Sequence, residues 1–179
     1  MNLLIDNKNI EKSFDRIAND ILNKKVLLVN GNEFIITEIE FYYFFEKIHE
    51  DNYTHEHRRN VGEWRFHNQG IDITFQSTKE SDGGILIRGI KIDNEHINGP
   101  RKIIQKIFEF FGKVTSENKL QLINTESRNS KIVKTFRHLP NKHQIAEFHN
   151  KYYRYLTNLE NLDIPSSEKE MINKNSTFL

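Results

Sequence analysis

Two glutamates stand two residues apart inside an apolar run, Glu33–Tyr43 (EFIITEIEFYY). Strict alternation puts Phe34, Ile36, Glu38, Glu40 and Tyr42 on one face of a strand, and Ile35, Thr37, Ile39 and Phe41 on the other. Both faces are apolar enough for a covered, central strand. Carboxylates there cost free energy unless they are paired or hydrogen-bonded. Either the strand end emerges into solvent, or a pocket holds a carboxylate suited to general-base work.

A second group lies in the polar stretch 44–70: Asp51, Tyr53, His55, His57, Arg58, Arg59, Trp64, Arg65 and His67. Imidazoles, guanidiniums and aromatic rings together can contact phosphates and stack on bases. His55 and His57, with Asp51 or His67, are also of metal-ligand type, although His-x-His alone is a short signal. Arg88, within Ile85–Ile90 (ILIRGI), sits between Leu86 and Ile90 and needs a partner; Glu38 or Glu40 would serve. From Ser127 to Leu156 the cations are Arg128, Lys131, Lys134, Arg137, Lys142, Lys151 and Arg154, with Glu147 the only acid. Phe136, Tyr152, Tyr153 and Tyr155 interleave with them. Such a run suits a nucleic-acid backbone surface, or is a solvated face.

The elements that must position these groups follow from periodicity. Ile10, Phe14, Ile17, Ala18, Ile21 and Leu22 predict an amphipathic helix over 10–22. Lys25–Asn30 and Glu33–Tyr43 read as strands joined at Asn30-Gly31, a strong hairpin signal because both turn positions need φ > 0. Further strands are expected at Ile71–Gln76, Ile85–Ile92, Leu120–Ile123 and Tyr152–Leu156. Pro100 opens a second helix with Gly112 closing it. Brief helices are expected near Gln144–His149 and over Ser166–Ile172, the latter capped by Ser166 or Ser167. Helices and hairpins do not alternate as βαβ units would, so the class is α+β: a single domain with a curved, largely antiparallel sheet flanked by helices. The domain is expected over residues 1–156, with 157–179 a C-terminal tail.

Composition bounds the function. The 26 basic and 25 acidic residues leave a net charge of +1, which excludes a uniformly basic nucleic-acid binder but not a local basic face. With no Cys, disulfides, thiolate zinc sites and thiol nucleophiles are excluded. No segment approaches the roughly 20 apolar residues of a membrane span. The N-terminus lacks a basic patch followed by an apolar run. A cytoplasmic monomer without membrane contact is expected.

In their order, these motifs resemble the alkyladenine (3-methyladenine) DNA glycosylase family. SFDRIANDILNKKVLLV (Ser13–Val29) is similar to the family's opening "ALARALLGKVLV" helix and strand. FIITEIEFY (Phe34–Tyr42) matches the spacing of its "R-I-V-E-T-E-A-Y" strand, and Asp51 to His55 fits its Asp-x-x-x-His. ILIRGI fits a "VLLRAL" strand, Gly99-Pro100 a helix-opening turn, and KYYRYL (Lys151–Leu156) a "PWRFY"-like strand. The likeness spans about residues 13–156.

The resemblance implies a DNA-repair N-glycosylase of base excision repair: a hydrolase that flips a damaged purine, alkylated or deaminated, and cuts its N-glycosyl bond. Glu40 would activate the attacking water; Tyr42, His55 and His67 would bind the base. No metal or other cofactor would be needed. DNA contacts would come from Arg58, Arg59, Lys131, Lys134 and Arg137. The family's hairpin ends in an aromatic wedge, whereas Arg65-Phe-His-Asn-Gln-Gly70 has none at its tip. That leaves the substrate open between duplex and single-stranded DNA. The alternatives are a non-catalytic nucleic-acid-binding relative and a metal-dependent hydrolase using the His-rich loop.

Overall fold

A computed structural model of the chain describes residues 1–137, 139, 146–157, 159 and 164–179. Helix α1 (Ile10–Lys24) buries the whole apolar set expected of it, and Phe14 stacks on Phe41 with ring centroids 4.4 Å apart. It runs directly into β1 (Lys25–Val29). Asn30 (φ 47°) and Gly31 (φ 89°) then turn the chain into β2 (Asn32–Phe45), as the hairpin signal requires.

Strand β2 is the spine of the fold. After it come β3 (His49–Glu50), β4 (Trp64–His67), β5 (Gly70–Thr74), β6 (Ser81–Ile92), β7 (Glu95–Asn98) and helix α2 (Pro100–Glu109). Then follow β8 (Leu120–Asn124), β9 (Ile132–Thr135), α3 (Ala146–His149), β10 (Arg154–Thr157), α4 (Ser166–Lys174) and β11 (Thr177–Phe178). The sheet order is β11-β9-β10-β2-β6-β5-β4; β1 joins β2 to β8, β3 pairs with β2, and β7 with β6. Every pairing is antiparallel, so the class is α+β. Among the described residues no helix is long and apolar enough to cross a membrane.

Strict alternation along β2 does not hold. Ile36 pairs with Ile90, Glu38 with Gly89 and Ile39 with Ile87, leaving Thr37 as an extra residue on β2 and Arg88 as one on β6. The bulge changes the phase of both strands. Phe34 and Ile36 therefore share the core with Ile39, Phe41 and Tyr43 instead of lying beside Glu40. Glu38, Glu40 and Tyr42 face the other way, as do Leu86 and Arg88. Gly89 permits the close approach: a Cβ there would lie 2.7 Å from Thr37 Oγ1 and 2.8 Å from Glu38 Cβ.

Other expectations shift in detail. The polar stretch 44–70 contains β3 and β4, and the basic stretch contains β9. Helix α2 begins at Pro100, but Phe110 is its C-cap, and Gly112 donates its N–H to Asn118 Oδ1 at 2.7 Å. Of the helix expected near Gln144, residues 144 and 145 lie outside the described residues. Helix α4 is N-capped by Pro165, with no side-chain cap from Ser166 or Ser167. Residues 164–179, expected as a tail, pack on the sheet: Ile172 is buried with Val133 and Leu156, and β11 pairs with β9.

Candidate functional site

The polar face of β2 carries a charge network. Arg88 Nε donates to Glu38 Oε1 at 2.8 Å and its Nη1 to Glu40 Oε2 at 3.2 Å. Arg154, from β10, donates to the same Glu38 oxygen at 2.7 Å and to Glu168 of α4 at 2.9 Å. Pairing of Arg88 with Glu38 and Glu40 is what the sequence predicts. Burial pulls the Arg88 pKa down, but Glu40 and Glu38 outweigh it and raise it.

Tyr42 Oη donates to Glu40 Oε2 at 2.8 Å. Burial, then the negative charge of Glu40, pushes the Tyr42 pKa well above its ordinary value, so it is a neutral phenol and a donor. Glu40 is 0% exposed, and its Oε1 has no hydrogen-bond partner among the described residues. A buried, unpartnered carboxylate oxygen is costly.

A cavity of about 350 Å³ opens over this network. Tyr42 lines it from β2, His55 and His57 from the segment after β3, and Arg65, His67 and Asp72 from the β4–β5 hairpin. Leu86 and Arg88 line it from β6, and Pro100 from the start of α2. Tyr42, His55 and His67 thus meet in one cavity. Glu40 lies behind Tyr42 and Arg88 and does not line it. Room beside Tyr42 comes from its cross-strand partner Gly84, which has no side chain. Gly83, at φ 152°, packs so closely that a Cβ would lie 2.3 Å from the Tyr42 carbonyl oxygen.

The register aligns a row across the sheet: Arg65 opposite Asp72, Asp72 opposite Leu86, Leu86 opposite Glu40, and Glu40 opposite Arg154. Asp72 was not singled out from the sequence, although an acid between Ile71 and Ile73 carries the same signal as Glu38 and Glu40. Its Oδ2 accepts from Arg65 Nη1 at 2.9 Å and lies 3.1 Å from His67 Nε2.

The remaining loop residues divide. The His57 side chain is 3% exposed; its Nε2 donates to the Gly83 carbonyl at 2.8 Å, and its Nδ1 accepts from the Arg59 N–H at 3.1 Å. Both nitrogens are committed to holding the loop, so His57 is no metal ligand in this arrangement. No group of three His, Cys, Asp or Glu among the described residues is arranged to hold a metal. Arg58 and Arg59 border a neighbouring cavity of about 770 Å³, whose lining also includes Glu56, Glu80 and Asp82. That larger space holds none of the Glu40 network.

Among the described residues, most cations of the basic run are paired within the protein. Arg137, expected as a DNA contact, points inward: its guanidinium is buried and forms a two-pronged ion pair with Asp51, at 2.7 and 3.1 Å. Lys134 pairs with Asp15 at 2.6 Å and Lys151 with Glu11 at 2.8 Å. Arg128 donates to the carbonyls of Leu22 and Lys25. Lys131 remains exposed, its ammonium 3.5 Å from the Phe178 ring centroid. No protein-family model matches the chain, and no curated protein matches it.

Proposed function

We propose that the cavity receives a purine base and that the protein hydrolyses the N-glycosyl bond of damaged purines in DNA. One observation carries this reading: Tyr42, His55 and His67, from three separate segments, line one cavity above a buried Glu40 with an unpartnered oxygen. The resemblance to alkyladenine DNA glycosylases assigns the same four residues. In the reaction, water oxygen bonds to C1′ as the C1′–N bond breaks. The bonding pair leaves with the base, and the water proton passes to Glu40 Oε1; because that oxygen is buried and Glu40 does not line the cavity, this step requires the wall between them to open. Tyr42 and Arg88 hold the other oxygen so that Oε1 stays directed. An alkylated purine leaves as a cation becoming neutral, so a single base suffices; general-base assistance is typically worth about 10²–10⁴-fold.

With Arg137 and Lys134 committed to ion pairs and Asn68 and Gln69 at the hairpin tip, an already unstacked nucleotide is the substrate that fits. The test is single-turnover release of base from oligonucleotides carrying a methylated purine or hypoxanthine, single-stranded and duplex, read as alkali-labile sites. Release by wild type and none by Glu40→Gln is expected. No release from any oligonucleotide overturns the enzyme reading. In that outcome a base-binding protein without catalysis takes its place, which the position of Glu40 behind the cavity wall favours.

A further inference from the structure

We infer that Asp72 reads the base, and that it selects a guanine-type edge, with N–H donors at N1 and the 2-amino group. This rests on the base-pocket reading above and narrows its substrate class. Asp72 is 8% exposed and lines the cavity. Arg65 donates to its Oδ2 and His67 Nε2 lies 3.1 Å from that oxygen, while no described residue donates to Oδ1. A carboxylate accepts hydrogen bonds and cannot donate, so Oδ1 calls for a donor from whatever fills the cavity.

The row across the sheet sets the geometry. Asp72 and Glu40 flank Leu86 on one face, so their Cα atoms are two strand spacings apart, about 10 Å. A purine lying over the apolar Leu86 side chain, with its glycosidic nitrogen toward Glu40, points its pyrimidine edge at Asp72. Guanine offers two donors there. Hypoxanthine offers one, and adenine sets an acceptor, N1, against the carboxylate. A site built to bond a donor rejects an analogue that lacks it more strongly than an apolar pocket rejects a missing methylene. The favoured lesions are therefore alkylated guanines rather than deaminated purines.

Calorimetric titration with deoxyguanosine, deoxyinosine and deoxyadenosine tests this without requiring turnover. Deoxyguanosine and deoxyinosine differ only in the 2-amino group. Wild type and Glu40→Gln are expected to bind deoxyguanosine about tenfold more tightly than deoxyinosine, with deoxyadenosine weaker still. Asp72→Asn should erase most of that difference. If loss of the Arg65 and His67 contacts unfolds it, Asp72→Glu, which keeps the charge but moves the oxygens, should lose it instead. Equal wild-type affinity for the three nucleosides, a preference surviving both substitutions, or no binding overturns the inference. Because binding is read in Glu40→Gln as well, an inert enzyme that prefers deoxyguanosine sinks only the catalytic reading.

Discussion

Arg137 and Asp51, 86 residues apart in the chain, form a two-pronged ion pair with neither side chain exposed. The same guanidinium donates to the Phe41 carbonyl at 2.9 Å and lies 4.6 Å from the Tyr42 ring centroid. Asp51 begins the segment that carries His55. One buried pair therefore fixes both the tyrosine and the loop that border the cavity.

Removing one partner leaves an uncompensated buried charge, which typically costs about 3–5 kcal/mol. Asp51→Asn and Arg137→Met should each lower stability by that order in urea denaturation. The double substitution should cost less than the sum of the two. Additive losses would show that the pair is not the source.

His49 gives stability a pH dependence. Its ring packs against Phe148 and Tyr153; its Nδ1 bonds the Tyr43 carbonyl and its Nε2 the Tyr153 hydroxyl. Burial lowers its pKa; the Tyr43 carbonyl and Asp51 oppose this, and the positive charge of Arg137 reinforces it. The unfolded chain therefore takes up the proton first as pH falls below about 6.5. Stability is lost from there down toward the folded-state pKa, and above about 6.5 this group has no effect on it. Urea titrations at pH 7.5, 6.5 and 5.5 should show a decline in wild type that His49→Gln flattens.

Elements with strong local signals are legible in the sequence: α1 from its apolar spacing, the first hairpin from Asn30-Gly31, α2 from Pro100. Pairing is not encoded locally. Strands β4, β7 and β9 are four residues each, too short for alternation to stand out, and they exist because a neighbouring strand completes their hydrogen bonds. The bulge in β2 does leave a trace, since apolar residues at 34 and 36 give way to 39, 41 and 43. The basic run reads as a surface because its acids lie far off in the chain, at Glu11, Asp15, Glu38 and Asp51. Within the site, the likeness to a known family brings Tyr42, His55 and His67 to notice, whereas Asp72 emerges only when the register sets it beside Leu86 and Glu40.

Glu38 and Glu40 should separate in their effects. Glu38 Oε1 accepts from both Arg88 and Arg154, so Glu38→Gln leaves the buried Arg154 and the partly buried Arg88 short of charge. A loss of about 3 kcal/mol is expected. Glu40→Gln leaves Arg88 paired with Glu38 and keeps an oxygen for the Tyr42 hydroxyl. It should cost about 1 kcal/mol while removing activity. Thermal melts of the two variants beside wild type check the ranking, and equal losses would contradict it.

Tyr42 has two jobs that substitutions can split. Its ring lines the cavity, and its hydroxyl holds Glu40 Oε2. Stacking on a base is worth about 1–3 kcal/mol, so Tyr42→Ala should weaken binding to a damaged-base oligonucleotide by that amount. Tyr42→Phe keeps the ring and should bind nearly as wild type. It deprives Glu40 of a donor, however, leaving Arg88 alone to orient the carboxylate. The chemical step should therefore slow even though binding is intact, a loss confined to the single-turnover rate at saturating enzyme. If Tyr42→Ala and Tyr42→Phe bind alike, the ring is a core residue and the base lies elsewhere. If Tyr42→Phe releases base at the wild-type rate, Arg88 suffices to position Glu40.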